Sequence, residues 1–127
     1  MFNKKDEHME AEINGFVGNG MTVEGKLIFE GSVRIDGKVK GEISSTGTLL
    51  IGEGAIIEAE INVDTAIISG EVQGIVNAKG RVELHAPARV IGDIRTPTLI
   101  IGEGVIFEGN CLMVKKGADL KPVEETA

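Results

Sequence analysis

The sequence contains no Trp and no Tyr, and aromatic residues make up only 3% of it. Any core built from it is therefore aliphatic. It has one cysteine, Cys111, which excludes an internal disulfide framework. No stretch approaches the roughly 20 apolar residues that a transmembrane helix needs. Lys4 and Lys5 are followed by acids rather than by the apolar run of a signal peptide. A basic excess is also missing: 13 Lys and Arg stand against 20 Asp and Glu, for a net charge of −7. Phosphate recognition needs a basic stripe, so nucleic acid is excluded as the main partner. These absences together predict a cytoplasmic protein.

What is present is β-branched. Ile and Val together supply 28 residues, against 7 Leu. Their stiff χ1 angles suit a pleated surface. The 18 Gly are dispersed along the chain, as in many short strands joined by tight turns. With 127 residues the chain is one domain. Residues 1–14 and 117–127 are polar and carry no strand pattern, so both read as disordered tails around a core over 15–116.

The core holds a repeat in which a small residue, any residue and an aliphatic residue follow one another. Gly25-Lys26-Leu27, Gly41-Glu42-Ile43, Ala59-Glu60-Ile61, Gly74-Ile75-Val76, Gly92-Asp93-Ile94 and Gly109-Asn110-Cys111 are its six copies. The intervals between third positions are 16, 18, 15, 18 and 17 residues. Ile51-Gly52-Glu53-Gly54 recurs 50 residues later as Ile101-Gly102-Glu103-Gly104, three repeats on. Within each repeat, aliphatic and charged residues alternate, which places one face inward and one outward. A repeat of this length fits three short strands and three turns, one coil of an all-β solenoid. Six coils at roughly 4.8 Å each give a rod about 30 Å long.

A solenoid without caps leaves an open edge and an open core at each end. The entry Phe16-Val17 and the exit Phe107 with Leu112-Met113-Val114 are apolar. End-to-end stacking of copies is expected there; in the alternative, Phe16 and Phe107 fold over and plug the core.

Chemistry-bearing constellations are weak. His8 and His85 are the only histidines, too few for a three-ligand zinc site, and His85 before Ala86-Pro87 reads as an exposed turn residue. Cys111 occupies an aliphatic position of the repeat. Gly52-Glu53-Gly54 and Gly102-Glu103-Gly104 lack the Lys-Ser/Thr of a phosphate loop and read as turns. Asp36-Gly37 and Asp93 lack the dense pattern of calcium-binding solenoids. Glu58 and Glu60 form a solvated face, since a rod without long loops offers no cleft. An enzyme, a cofactor and a metal are therefore not expected. A hexapeptide-repeat acyltransferase would need strict six-residue units, which the irregular intervals deny. A monomeric binding module that uses one solenoid face stays open as an alternative.

The repeat, the segment Val33-Arg34-Ile35-Asp36-Gly37-Lys38-Val39-Lys40-Gly41-Glu42-Ile43 and the closing segment Ile101 to Gly109 resemble those of the bactofilins. The resemblance covers about residues 15–116. It implies a right-handed, triangular β-helix of about six coils that polymerises without nucleotide into non-polar filaments. It implies a cytoskeletal scaffold at the inner face of the cytoplasmic membrane, acting in cell shape beside cell-wall enzymes. It also implies a role for an apolar residue near the core's C-terminal end, here Phe107. The start Met1-Phe2-Asn3-Lys4-Lys5 resembles the family's membrane-targeting segment, so Met1, Phe2, Lys4 and Lys5 are the candidate membrane contacts. The partners expected are the chain itself, the membrane and cell-wall enzymes, with no nucleotide.

Overall fold

A computed structural model describes residues 13–114. All ten of its strands pair in parallel: β1 (Ile13–Val17), β2 (Thr22–Phe29), β3 (Ser32–Ile35), β4 (Lys38–Ser45), β5 (Thr48–Ile51), β6 (Ile56–Ile68), β7 (Glu71–Leu84), β8 (Arg89–Thr96), β9 (Leu99–Ile101) and β10 (Ile106–Met113). The first strand begins two residues ahead of the core boundary expected at residue 15. The chain winds into a β-solenoid of about six turns, the architecture expected from the repeat.

Register links the repeat to the coil directly. Leu27, Ile43, Ile61, Val76, Ile94 and Cys111, the six third positions of the repeat, stand in one column through the rod. A second column runs Val23, Val39, Ile57, Val72, Val90, Phe107. A third runs Val17, Ile35, Ile51, Ile68, Leu84, Ile101. Each inward residue thus packs on its equivalent one coil away, so the core is a bundle of aliphatic ladders. Ala55, Ala66, Ala78 and Ala88 fill its narrower parts and are also buried. No inward position of the middle coils needs a ring, which is how the chain forms a core with so few aromatics.

The repeat's small residue makes a corner. Val39 and Ile43 are both fully buried, yet Gly41 between them is exposed. A flat strand of period two would point residue 41 inward along with 39 and 43, so the chain bends at Gly41. Gly25, Gly41, Gly74, Gly92 and Gly109 share this column with Ala59, and the five glycines have φ between 126° and 143°. That region is open to Gly and closed to L side chains. Stacking adds a second constraint: a Cβ on Gly92 would lie 1.9 Å from the Gly74 carbonyl oxygen below it.

Elsewhere the corners satisfy their own polar groups. Thr96 is fully buried, and its Oγ1 donates to the Thr98 carbonyl at 3.2 Å while accepting from the Thr98 N–H at 3.4 Å. A buried hydroxyl is tolerable on those terms.

Gly92→Ala is expected to lose at least about 2 kcal/mol through backbone strain and clash with the coil below. Gly54→Ala is the control: its φ is not positive, and its Cβ would meet nothing nearer than 4.0 Å. Thermal melts followed by circular dichroism separate the two.

Candidate self-association ends

Burial falls off at both ends of the Val23 column and at the C-terminal end of the Val17 column, whose first member Val17 is still buried. Val39, Ile57, Val72 and Val90 are fully buried, whereas Val23 and Phe107 at the two ends of that column are only half-buried. In the Val17 column, Ile35, Ile68 and Leu84 have no exposure, and Ile101 is 48% exposed. An inward side chain of a middle coil is covered by the coil above and the coil below, and among the described strands an end coil has only one such neighbour. The C-terminal end presents Leu99, Ile101, Val105, Phe107, Cys111 and Met113. The N-terminal end presents Val23, Leu27 and Phe29, while Val17 stays buried at 8% exposure.

The end coils also carry unpaired backbone. Among the described strands, β1 and β2 pair only with β3 and β4, while β9 and β10 pair only with β7 and β8. Their outer N–H and C=O groups are a template for another parallel or antiparallel edge.

Of the residues expected at the ends, the structure places Val17, Phe107 and Met113 in inward columns. Phe16 is not over the open core. It tops an outward column that continues through Arg34, Leu50, Ile67, Glu83 and Ile100, and it is 59% exposed on the outer wall. Leu112, 55% exposed, likewise faces outward in the column of Asn77 and Arg95. The reason is strand alternation: neighbours of inward residues face outward. Phe16 therefore does not plug the core. Val114 is half-buried, and its N–H donates to the Thr96 carbonyl at 3.1 Å. Met1, Phe2, Lys4 and Lys5 lie outside the described residues.

Several end residues escaped the sequence reading. Val23, Leu27, Leu99, Ile101 and Val105 complete the two apolar ends, and the signal for them was the repeat register itself. Ile101 is the third-repeat counterpart of Ile51, which is buried mid-rod.

The outer wall is charged and paired. Lys26 and Glu42 lie 4.0 Å apart on adjacent coils, as do Lys40 and Glu58. Such exposed pairs contribute about 0–1 kcal/mol each. Glu60 stands beside Glu42 in the ladder on this open wall, with no cleft between the carboxylates. Among the described residues, no cluster of His, Cys, Asp and Glu could hold a metal ion. No described helix is long and apolar enough to cross a membrane. Burial pushes the Cys111 thiol up, and its Sγ lies 3.5 Å from Met113 Sδ.

His85 sits exposed at a turn, with Nε2 3.0 Å from Glu83 Oε1; Arg81 Nε donates to the other carboxylate oxygen. The hydrogen bond from His85, then that from Arg81, holds the Glu83 carboxyl below the usual glutamate range. A depressed acid contributes stability above its unfolded pKa and loses it as pH falls through the folded value. Glu83→Gln is expected to remove that part of the acid destabilisation below the usual glutamate range, a change of at most about 1 kcal/mol at neutral pH. Denaturant melts from neutral to acidic pH check it.

Among the described residues, the apolar ladders of this parallel solenoid end at both faces without a further covering coil. Residues 15–112 match the sequence profile of the bactofilins, described as polymer-forming cytoskeletal proteins. The chain is 34% identical to bactofilin BacO of Myxococcus xanthus over 103 residues, covering 81% of this chain and 82% of that protein. It is 34% identical to BacP of the same organism over 114 residues, covering 90% of this chain and 48% of BacP, so it spans about half of that relative. The solid-state NMR structure of the cytoskeletal bactofilin BacA superimposes with a TM-score of 0.72 at 31% identity, covering 79% of this chain and 95% of BacA. The chain belongs to the bactofilin family, whose members are cytoskeletal and non-enzymatic.

Proposed function

We propose that this bactofilin builds non-polar filaments, without any nucleotide, by joining the apolar ends of its solenoid. The loss of burial at the last inward residues of each ladder carries the reading. Stacking Phe107, Ile101 and Leu99 against a second copy restores the covering coil that the end lacks, and each large aliphatic so buried contributes roughly 1.5–3 kcal/mol. Edge-strand pairing adds direction to this contact. The solenoid that begins at β1 (Ile13–Val17) and ends with β10 (Ile106–Met113) is the filament core.

The filament attaches to the inner face of the cytoplasmic membrane through Met1, Phe2, Lys4 and Lys5. Phe2 enters the headgroup boundary, and each Lys near an anionic leaflet contributes about 1 kcal/mol. One copy holds weakly; a filament holds through many copies at once. On the membrane it acts as a scaffold for cell shape and recruits cell-wall enzymes.

Negative-stain electron microscopy without nucleotide is expected to show filaments of the parent and none of Phe107→Arg, which sets a charge on the exposed end of a ladder. A parent that stays a dispersed monomer across salt and pH overturns the proposal in favour of a monomeric binding module. Flotation with anionic vesicles is expected to carry the parent filaments up and to leave the Phe2→Ser, Lys4→Ala, Lys5→Ala triple variant behind while it still polymerises.

A further inference from the structure

The third coil is one residue short at one corner, and this cuts a groove into the wall. Three residues separate Ser44 from Thr48, but only Val63 and Asp64 separate their ladder partners Asn62 and Thr65. In the next coil three residues again separate Asn77 from Arg81. The Thr65 N–H donates to the Gly47 carbonyl at 3.2 Å, and the Asp64 N–H shares that acceptor at 3.1 Å. The chain draws in at this point and leaves a hollow of about 490 Å³ across the first four coils.

Its lining is amphipathic. Ile28, 70% exposed, lies on one flank with Phe29, and Val63 lies farther along. Glu30 and Asp64 supply acid, and Lys79 supplies a cation. The floor holds Asn77, 5% exposed, whose Nδ2 donates to Asn62 Oδ1 at 2.9 Å while its Oδ1 is buried without a partner. An amide left half-satisfied under an apolar flank is an unfinished surface.

The chain itself reaches it. Ile13 pairs with Ser32, the residue that follows the Phe29–Glu30–Gly31 corner at the groove's near end. The described part of the chain therefore begins beside the groove. Twelve extended residues span up to about 40 Å, against about 15 Å for three coil steps. That segment, residues 1–12, holds Phe2 as its one phenyl ring and Lys4-Lys5 as its lysines, followed by His8 and the acids Asp6, Glu7, Glu10 and Glu12. The Phe2 ring matches the exposed Ile28 and half-buried Phe29 beside Val63, which is 3% exposed; the two lysines match Glu30 and Asp64, and the acids that follow them match Lys79. Tethering raises the local concentration of the segment to about the millimolar range.

We propose that residues 1–12 dock intramolecularly in this groove, with Phe2 against Ile28 and Val63 and the two lysines facing Glu30 and Asp64. Phe2 seated there is withheld from any lipid surface, so the groove and the membrane compete for the same residue.

The test is photo-crosslinking of the full chain carrying benzoyl-phenylalanine at position 2, in filaments mixed from isotopically light and heavy protein. Adducts of a single label within residues 28–30 and 62–64 are expected. Ile28→Ser and Glu30→Lys, both at exposed positions that leave the core untouched, are expected to reduce them several-fold. Mixed-label adducts would assign the groove to a neighbouring copy's segment and overturn intramolecular docking. So would adducts scattered over the rod or confined to its ends. Adding phosphatidylglycerol vesicles is expected to lower the groove adducts as the filaments bind lipid. Vesicle binding with no groove adducts defeats the docking and leaves the membrane reading standing. Groove adducts with no vesicle binding do the reverse.

Discussion

Everything in this molecule depends on in-register parallel pairing between successive coils. Because Leu27, Ile43, Ile61, Val76, Ile94 and Cys111 stand directly above one another, each coil buries its neighbour's apolar residues and satisfies its neighbour's backbone. The same pairing leaves an open strand edge at the first and last described coils, and that edge is the physical ground for the proposed end-to-end joining.

Register also governs where glycine is required. The corner column tolerates Ala59 in one coil because Ala59 does not adopt positive φ. The five glycines around it do, and four of them would press a Cβ into the carbonyl of the preceding coil. Position in the stack, more than the sharpness of the turn, makes these glycines hard to replace: Gly25 has the same φ region but nothing within 4 Å, since no coil lies below it. The unequal coil lengths have a comparable origin. Added or missing residues are confined to corners, where they change the outer wall and spare the ladders.

The solenoid was legible in the sequence because a ladder needs the same residue class at each turn. Six Gly-x-aliphatic copies and the Ile51/Ile101 match were sufficient to set the coil, and the columns of the structure coincide with them. The ends were only partly legible. Apolar residues near both termini of the core announced themselves, and Val17, Phe107 and Met113 do face inward. Phe16 and Leu112 were grouped with them by sequence proximity, although alternation turns each one to the outer wall. Choosing inward from outward needs the phase of the strand, and at the first and last coils there is too little repeat on one side to set it. The proposed membrane-targeting start was read only through the resemblance, since Phe2 and two lysines among acids have no periodicity to read.

The sequence by itself determined the fold class, the coil length and the aliphatic nature of the core, because those follow from local alternation and a repeat that any single coil displays. Tertiary structure alone decided which end residues lie over the open core, that the corner glycines are locked by the coil beneath them, and that one short corner opens a groove beside the chain's entry. Each of these compares a residue with its neighbour 15–18 positions away, and an offset that varies from coil to coil is settled only once the stack has formed.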